Sequence, residues 1–376
     1  MVKLSKFYIT AALAAILLTG CTPTEEVTEE KTPAAETVEV ETEAIVEEIP
    51  EAEETEPKKS LMINGTDYLS VEGIALEAGT DIAMVATNSK NSYWDVVEKG
   101  AVQAIADLNT ALGYTGKSKI KLSFDAPKGE DVIEQINIID QFLDKAPDAL
   151  CVAFTDASSC KTQMDMAKNN GIKTIAFDTP DDSQLTETVV ATDNRAAASE
   201  AAKKMFEAID YEGKVAILVH NSLTQSAQVR KQAIIDEMTQ NYNDKNIQFV
   251  EIVYAAQEER SESEILSELL AKYDDLAGII CTDKQTTEMV IDYAKGLEEV
   301  NFKIVGFDSS EKIIAEVGNL LVGTVSQDPY SIGYATVVAA ARSITNMGNE
   351  ENICTEHVWI DAENLDSPEV QSVLNY

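Results

Sequence analysis

The sequence predicts an α/β protein with two doubly wound lobes, each built around a parallel sheet. The first observation is that short apolar runs alternate with amphipathic stretches from Asp81 onward. Several of these runs are almost continuous in Val, Ile and Ala, as expected of strands covered on both faces. The pattern also extends over about 290 residues, which favours two lobes of about 130 to 150 residues over one large sheet.

The alternation defines the elements in chain order. Eight strands are predicted at residues 82–86, 120–124, 149–154, 174–177, 214–220, 247–254, 277–281 and 303–307. Seven helices are predicted at residues 93–108, 132–143, 158–169, 195–209, 224–238, 261–273 and 286–297. In the first helix, Trp94, Val97 and Ala101 recur at helical spacing and mark one apolar face. Residues 60–80 fit either an added strand or a loop that packs on the first lobe.

The charge balance excludes one class of partner. The chain has 66 acidic and 29 basic side chains, a net charge of −37. A surface this negative repels phosphate backbones, so we exclude nucleic-acid binding. The five cysteines form no CxxC pair and the chain has two histidines, which is poor material for a zinc site. We therefore expect no metal and no cofactor.

Residues 1–21 have the order of parts of a lipoprotein signal peptide. Lys3 and Lys6 form a positive start, and an apolar stretch over residues 7–18 follows that is too short for a membrane span. The segment ends in Leu-Thr-Gly-Cys21 and resembles the lipobox of bacterial lipoproteins, which implies lipidation of Cys21. The alternative is an ordinary signal peptide with an incidental cysteine. We expect the lipid to hold the protein on the outer side of the cell membrane.

Residues 22–60 are predicted to be a disordered acidic tether. Residues 22–57 contain 14 glutamates and one lysine, and they lack glycine and aromatic residues. Such a segment buries too little apolar surface to offset the entropy lost on ordering. Repulsion between the glutamates should extend it, so we expect a spacer between membrane and folded domain.

Polar and aromatic residues follow the predicted strands, at the sheet edge where ligands bind in such folds. They are Asn91, Tyr93, Trp94, Asp178, Asp283, Asp308 and Gln327. Carboxylate and amide groups pair with neighbouring hydroxyls, and aromatic rings cover the C–H faces of a sugar. The set therefore indicates a polyhydroxylated ligand, although Asp and Asn can also be helix caps and the aromatic residues can be core. The chain lacks glycine-rich phosphate motifs and a nucleophile elbow.

The same segments resemble the periplasmic sugar-binding proteins of the ribose and galactose type, over about residues 80–376. The matching motifs are Asn91-Ser92-Tyr93-Trp94, Phe177-Asp178, Thr192-Asp193-Asn194, Gly306-Phe307-Asp308 and Gln327-Asp328-Pro329-Tyr330. The resemblance implies that the seven strand-end residues contact a sugar. It also implies an arginine after the strand-four Asp, where this chain has Thr179, and one on the helix after strand five, near Gln228 and Arg230. We include Gln228 and Arg230 among the ligand-binding residues, and we leave the sugar's identity open.

The resemblance also implies how the chain is divided. It places three hinge segments near Asp193, Gln327 and His357, so that residues 80–192 plus 328–356 form the N-terminal lobe. Residues 193–327 plus 357–376 then form the C-terminal lobe. Binding would close the two lobes by hinge bending.

The function that these features predict is binding without catalysis. We expect a monomeric, lipid-anchored protein that captures a monosaccharide and passes it to the permease of an ABC importer. A sensory lipoprotein for a nucleoside or an autoinducer-like ligand remains an alternative. A glycosidase with paired carboxylates is a remote one. A transcriptional regulator of the same fold is rejected, because it needs a basic DNA-binding segment where this chain has its signal peptide and tether.

Overall fold

The computed structural model describes residues 59–180, 184–255 and 260–374. The predicted signal peptide with Cys21, and residues 22–58 of the predicted tether, lie outside this range. Within it the chain is α/β with two six-stranded sheets, which confirms the predicted fold class. No helix in the part that the structure describes is long and apolar enough to cross a membrane.

The first described residues form a small antiparallel hairpin of β1 (Met62–Ile63) and β2 (Thr66–Asp67). The segment after it packs on the first lobe through Tyr68, Leu69, Ile74 and Leu76, which are buried in that lobe's core. Residues 60–80 thus combine both predicted alternatives, because a short hairpin leads into a packing loop.

The first sheet is parallel throughout and has the order β13-β7-β6-β5-β3-β4. Its strands are β3 (Asp81–Val85), β4 (Lys121–Asp125), β5 (Ala149–Val152), β6 (Lys173–Phe177), β7 (Thr188–Thr192) and β13 (Asn352–Thr355). The side chains of β5 are buried along its whole length, as the apolar run over residues 149–154 predicts.

The second sheet repeats this arrangement in the order β14-β12-β11-β10-β8-β9. Its strands are β8 (Glu212–Val219), β9 (Asn246–Tyr254), β10 (Leu276–Cys281), β11 (Lys303–Phe307), β12 (Gly323–Gln327) and β14 (His357–Ile360). Only the edge strand β14 departs from the first sheet, because it runs antiparallel to β12 whereas β13 is parallel to β7.

Helices cover both faces of each sheet. They are α1 (Tyr93–Leu112), α2 (Val132–Leu143), α3 (Lys161–Asn169), α4 (Asn194–Ala208), α5 (Gln225–Asn241), α6 (Glu262–Lys272), α7 (Lys284–Lys295), α8 (Glu311–Ile314), α9 (Pro329–Ile344) and α10 (Pro368–Leu374). In the first lobe α1 and α9 lie on one face, and α2 and α3 lie on the other. In the second lobe α4 and α5 are opposed by α6 and α7.

Helix α9 is the central packing element of the first lobe. The helix has apolar and small side chains on all of its faces, and 12 of its 16 residues are buried. It crosses α1 at very short range, because a Cβ on Gly333 would lie 1.9 Å from the carbonyl oxygen of Val97. A Cβ on Gly100 would lie 2.0 Å from the carbonyl oxygen of Tyr330. Glycine at both positions is what lets the two backbones touch.

The chain passes between the two sheets three times. It leaves the first sheet after β7, returns from β12 into α9, and crosses again between β13 and β14. The third passage is a single residue, Glu356. These passages lie beside Asp193, Gln327 and His357, where the resemblance places its hinge segments.

Candidate functional site

The carboxyl ends of both sheets face a common cleft. The side chains that line its inner cavity come from both lobes and are mainly polar. They are Thr87, Asn91, Tyr93, Trp94, Glu130, Asp178, Thr179, His220, Thr224, Ser226, Arg230, Asp283, Asp308 and Gln327. Eight of the nine residues predicted to bind ligand are in this set, and the exception is Gln228.

Tyr93 and Asp178 form the first-lobe wall of the cavity. The Tyr93 hydroxyl donates a hydrogen bond of 2.5 Å to Asp178 Oδ1, while Oδ2 has no partner among the described residues. Burial raises the pKa of the Asp178 carboxyl, partly opposed by Arg230. Trp94 packs edge-to-face on Tyr93 and on Phe177, so it belongs to the core as well as to the cavity.

Asp308 occupies the equivalent position in the second lobe. Its Oδ1 accepts a hydrogen bond of 2.6 Å from Gln327 Nε2, and its Oδ2 accepts one of 2.9 Å from the backbone N–H of Lys284. Burial raises the pKa of this carboxyl too, again opposed by Arg230. Asp178 and Asp308 thus end β6 and β11, one in each lobe, and face the same cavity.

Both aspartates adopt a left-handed backbone conformation, with φ of 58° at Asp178 and 65° at Asp308. Non-glycine residues adopt this conformation at a cost. Here it lets each backbone N–H reach the next strand, where it donates to Val190 at 2.8 Å and to Val325 at 2.7 Å. The turn points each carboxyl away from the sheet and into the cleft.

Two amide side chains complete the predicted set. Gln327 is 3 % exposed, and its Oε1 is buried with no hydrogen-bond partner among the described residues. Asn91 Oδ1 accepts a bond of 3.1 Å from the backbone N–H of Tyr93, at the start of α1. A buried acceptor without a donor is costly, and a hydrogen-bond donor in the cavity would satisfy Gln327 Oε1.

Among the described residues, Arg230 is the only one that brings a guanidinium group to the cavity. Its Nε donates to Asn194 Oδ1 and its Nη1 to the carbonyl of Thr282, both at 2.7 Å. The guanidinium carbon lies 4.1 Å from the centre of the Phe307 ring. These contacts fix the group, and Nη2 has no protein partner among the described residues. One planar donor is therefore held in place beside Asp178 and Asp308.

Asp283 behaves as the helix-cap alternative predicts. Its Oδ1 accepts bonds from the backbone N–H and the hydroxyl of Thr286, at 2.9 and 2.6 Å. Its Oδ2 accepts one from the backbone N–H of Gln285 at 3.2 Å. Asp283 therefore caps α7 while it also lines the cavity.

Gln228 lies apart from these residues. Its Oε1 accepts a hydrogen bond of 2.5 Å from Lys231 Nζ, which also donates to the Tyr254 hydroxyl. Its Nε2 is buried without a partner in the described part of the chain. Gln228 and Arg230 point in different directions, because they lie two positions apart on α5, and Arg230 is the one that points to the strand ends.

Sequence reasoning missed Glu130, which lies in the loop between β4 and α2. Its Oε2 accepts a hydrogen bond of 2.6 Å from Asn221 Nδ2, so a first-lobe carboxylate contacts the second lobe. Burial raises the pKa of Glu130, against the influence of His220. In a chain with 66 acidic residues a single glutamate carries no signal, and its position after a strand was the only indication available.

Thr179 stands where the resemblance implies an arginine. Its hydroxyl donates a hydrogen bond of 3.0 Å to the backbone carbonyl of Phe154, so the side chain is bound within its own lobe. A second contact between lobes joins Lys284 Nζ to the Ser92 hydroxyl, beside the cavity. With Glu130 and Asn221, this contact holds the lobes together across the cleft.

Comparison with solved structures shows the same fold in sugar-binding proteins. A carbohydrate transporter solute-binding protein of Agrobacterium radiobacter, in complex with D-arabinose, has 22 % identity and a TM-score of 0.70, covering 79 % of this chain and 99 % of its own. An ABC transporter solute-binding protein of Agrobacterium vitis with bound D-fucose has 23 % identity and a TM-score of 0.69, covering 78 % and 99 %. The periplasmic component of an ABC-type sugar transport system of Hahella chejuensis has 22 % identity and a TM-score of 0.67, covering 74 % and 99 %.

The family comparison agrees with this fold. No curated protein matches the chain. A family model described as the periplasmic binding protein domain matches residues 82–349, which includes most of both lobes. That span contains every predicted ligand-binding residue and confirms the resemblance given by the strand-end motifs. The chain belongs to the periplasmic binding protein family.

Proposed function

We propose that this chain is an extracytoplasmic binding protein that captures a monosaccharide in the interlobe cleft and delivers it to the permease of an ABC importer. The observation that carries the proposal is the convergence of polar side chains from both lobes on one cavity. Among them Gln327 has a buried oxygen without a partner in the described structure, as a site built for a ligand hydroxyl requires.

The chemistry of the cavity supports a polyhydroxylated ligand. Asp178 and Asp308 approach from opposite lobes and offer carboxylate oxygens to hydroxyl donors. Tyr93 and Trp94 add aromatic surface that suits the C–H groups of a sugar ring. Arg230 offers a fixed donor for the ring oxygen or a hydroxyl. Solved relatives of this fold hold D-arabinose and D-fucose, which agrees with this choice of ligand.

The proposed mechanism is capture by closure. A sugar that contacts both lobes binds the closed arrangement more strongly than the open one, and so shifts the population toward it. The contacts of Glu130 with Asn221 and of Lys284 with Ser92 then form across the cleft. The permease would accept the closed form and release the sugar. No bond of the ligand is made or broken in this scheme.

The proposal places the protein on the membrane through Cys21, as a monomer. The support is the order of charged, apolar and small residues in the first 21 positions. Growth of producing cells with radiolabelled palmitate should label the wild-type chain and not Cys21→Ala. Equal label in both would contradict the anchor without touching the binding proposal.

A thermal-shift screen tests the binding proposal. The full chain would be heated with D-arabinose, D-fucose, D-galactose, D-ribose, amino sugars and a panel of nucleosides. At least one monosaccharide should raise the midpoint in a concentration-dependent way, because binding to the folded state stabilises it. A shift with nucleosides alone, or with none of the compounds, would overturn the choice of monosaccharide.

A further inference from the structure

The charge balance inside the cavity is strongly negative. Four carboxyl groups line it, those of Glu130, Asp178, Asp283 and Asp308. They face one guanidinium, of Arg230, and one imidazole, of His220, whose ring nitrogens lie 3.1 Å from the hydroxyl of Thr224 and 3.4 Å from that of Thr282. Even with the imidazole protonated, acidic groups outnumber cations four to two.

Arg230 lies beside Asp178 and Asp308 but forms an ion pair with neither. None of the four forms an ion pair within 4.0 Å with any residue in ranges 59–180, 184–255 and 260–374. Asp283 and Asp308 receive backbone N–H bonds at the start of α7. Asp178 and Glu130 have fewer partners, since each side chain accepts a single hydrogen bond. Asp178 accepts it from the Tyr93 hydroxyl, and Glu130 accepts it from Asn221 Nδ2. Buried charge held this way is costly unless a partner arrives.

The cationic side chains in and beside the cavity donate their hydrogen bonds to neutral groups. Arg230 donates to an amide and a backbone carbonyl rather than to a carboxylate. The ammonium group of Lys284 contacts the Ser92 hydroxyl in the neighbouring groove. The pKa values of Glu130 and Asp178 are raised because burial outweighs the opposing influence of His220 on Glu130 and of Arg230 on Asp178.

A metal ion is a poor candidate for the missing cation. No group of three or more His, Cys, Asp or Glu side chains within the described residues is arranged to hold one. The buried and unpartnered Oε1 of Gln327 indicates instead a ligand that donates hydrogen bonds. An ammonium group on an organic ligand supplies both a positive charge and three N–H donors.

We infer that the cleft selects an amino sugar with a free ammonium group over the corresponding neutral sugar. The inference rests on the proposed function and makes its ligand class specific. The ammonium group lies among Glu130, Asp178 and Asp308, and the hydroxyls use the remaining donors and acceptors. Acetylation of the amine removes the charge and with it the preference.

Calorimetric titration of the full chain tests this inference with matched triplets. One triplet is D-glucosamine, D-glucose and N-acetyl-D-glucosamine, and the other is D-galactosamine, D-galactose and N-acetyl-D-galactosamine. In at least one triplet the amino sugar should bind at least tenfold more tightly than both partners. The inference is overturned if neutral sugars bind equally well or better, and the proposed function then stands. If no monosaccharide of any kind binds, both fall.

The Glu130→Gln variant separates charge from shape. Gln keeps an oxygen that can accept the bond from Asn221, but it removes one negative charge from the cavity. The ratio of amino-sugar to neutral-sugar affinity should fall at least fivefold. The exposed Glu72, outside the cleft, provides the control, and Glu72→Gln should leave that ratio unchanged. An unchanged ratio in Glu130→Gln would contradict the inference.

Discussion

At the scale of single residues, Asp178 and Asp308 show that the site lowers the stability of the unliganded protein. Each is buried, has a left-handed backbone, and carries a carboxyl whose pKa is raised by burial. Each of these properties costs free energy in the unliganded protein. Residues of this kind persist where a ligand uses them, so stability and binding should respond to their substitution in opposite directions.

The first prediction concerns Asp178→Asn. The amide keeps an acceptor for the Tyr93 hydroxyl and removes the buried charge, so the melting temperature of the unliganded protein should rise. Sugar affinity should fall about tenfold or more, since a charged acceptor is lost. Asp210→Asn is the matched control, because Asp210 is also left-handed, with φ of 53°, but exposed. A rise in both variants would assign the effect to the backbone alone.

The pH dependence of that effect has a defined sign. The folded-state pKa of Asp178 is raised. The buried charge therefore lowers the free energy of unfolding of the wild type above this pKa, and this loss disappears as the pH falls through it. The gain in the free energy of unfolding from Asp178→Asn should therefore be largest near neutral pH and shrink toward acid pH. Urea unfolding at several pH values measures it. A gain that grows with acidity would contradict the assignment.

A second pair of variants tests Gln327. Gln327 and Gln228 each leave one buried amide atom without a partner in the described structure, but only Gln327 lines the cavity. Gln327→Leu should lower sugar affinity by roughly 10- to 100-fold, the usual cost of a lost hydrogen bond in a buried site. Gln228→Leu should change it less than threefold. Equal losses in calorimetric titrations would show that the cavity is not where the sugar binds.

At the scale of elements, the sequence predicted those with a clear period. The strand predicted at 303–307 has the bounds of β11, and the helix predicted at 132–143 has those of α2. Helix α9 was not predicted, because it is apolar on all sides and has no amphipathic period. Strands β13 and β14 were also missed; each is short and the single residue Glu356 separates them, so the stretch has no turn that divides it into two strands.

The residues of the candidate site also divide into those that could be predicted from the sequence and those that could not. Strand-end residues could be predicted, because parallel strands bring their carboxyl ends to one edge and the family motifs mark them. Glu130 could not, since it reaches the cavity through a loop and gains its meaning from contact with Asn221 in the other lobe. Gln228 and Arg230 could not be told apart until the rotation of α5 was known.

The contact between α1 and α9 gives the element-scale prediction. In an ordinary exposed helix Gly→Ala stabilises by up to about 1 kcal/mol. At Gly333 the new Cβ would meet the Val97 carbonyl, so Gly333→Ala should instead destabilise by about 3 kcal/mol through overpacking. Chemical denaturation measures the change. Gly296→Ala, at the exposed end of α7, is the control and should change the free energy of unfolding by less than about 1 kcal/mol.

At the scale of the whole molecule, the two sheets repeat one strand order and meet at their carboxyl ends. The repeat explains why one aspartate from each lobe faces the cavity at the same place in its sheet. In the proposed mechanism the repeat also couples binding to closure, because a ligand held by Asp178 and Asp308 would contact both lobes at once. The three crossings between the sheets are the segments at which such a closure would bend.

The central claim is that one monosaccharide binds between the lobes. Calorimetric titration of the full chain with the sugar that gives the largest thermal shift tests it most directly, with Gln327→Leu measured beside the wild type. We predict one site per chain in the wild type and an affinity at least tenfold weaker in the variant. Wild-type binding of a different stoichiometry, or equal affinity in Gln327→Leu, would contradict the account.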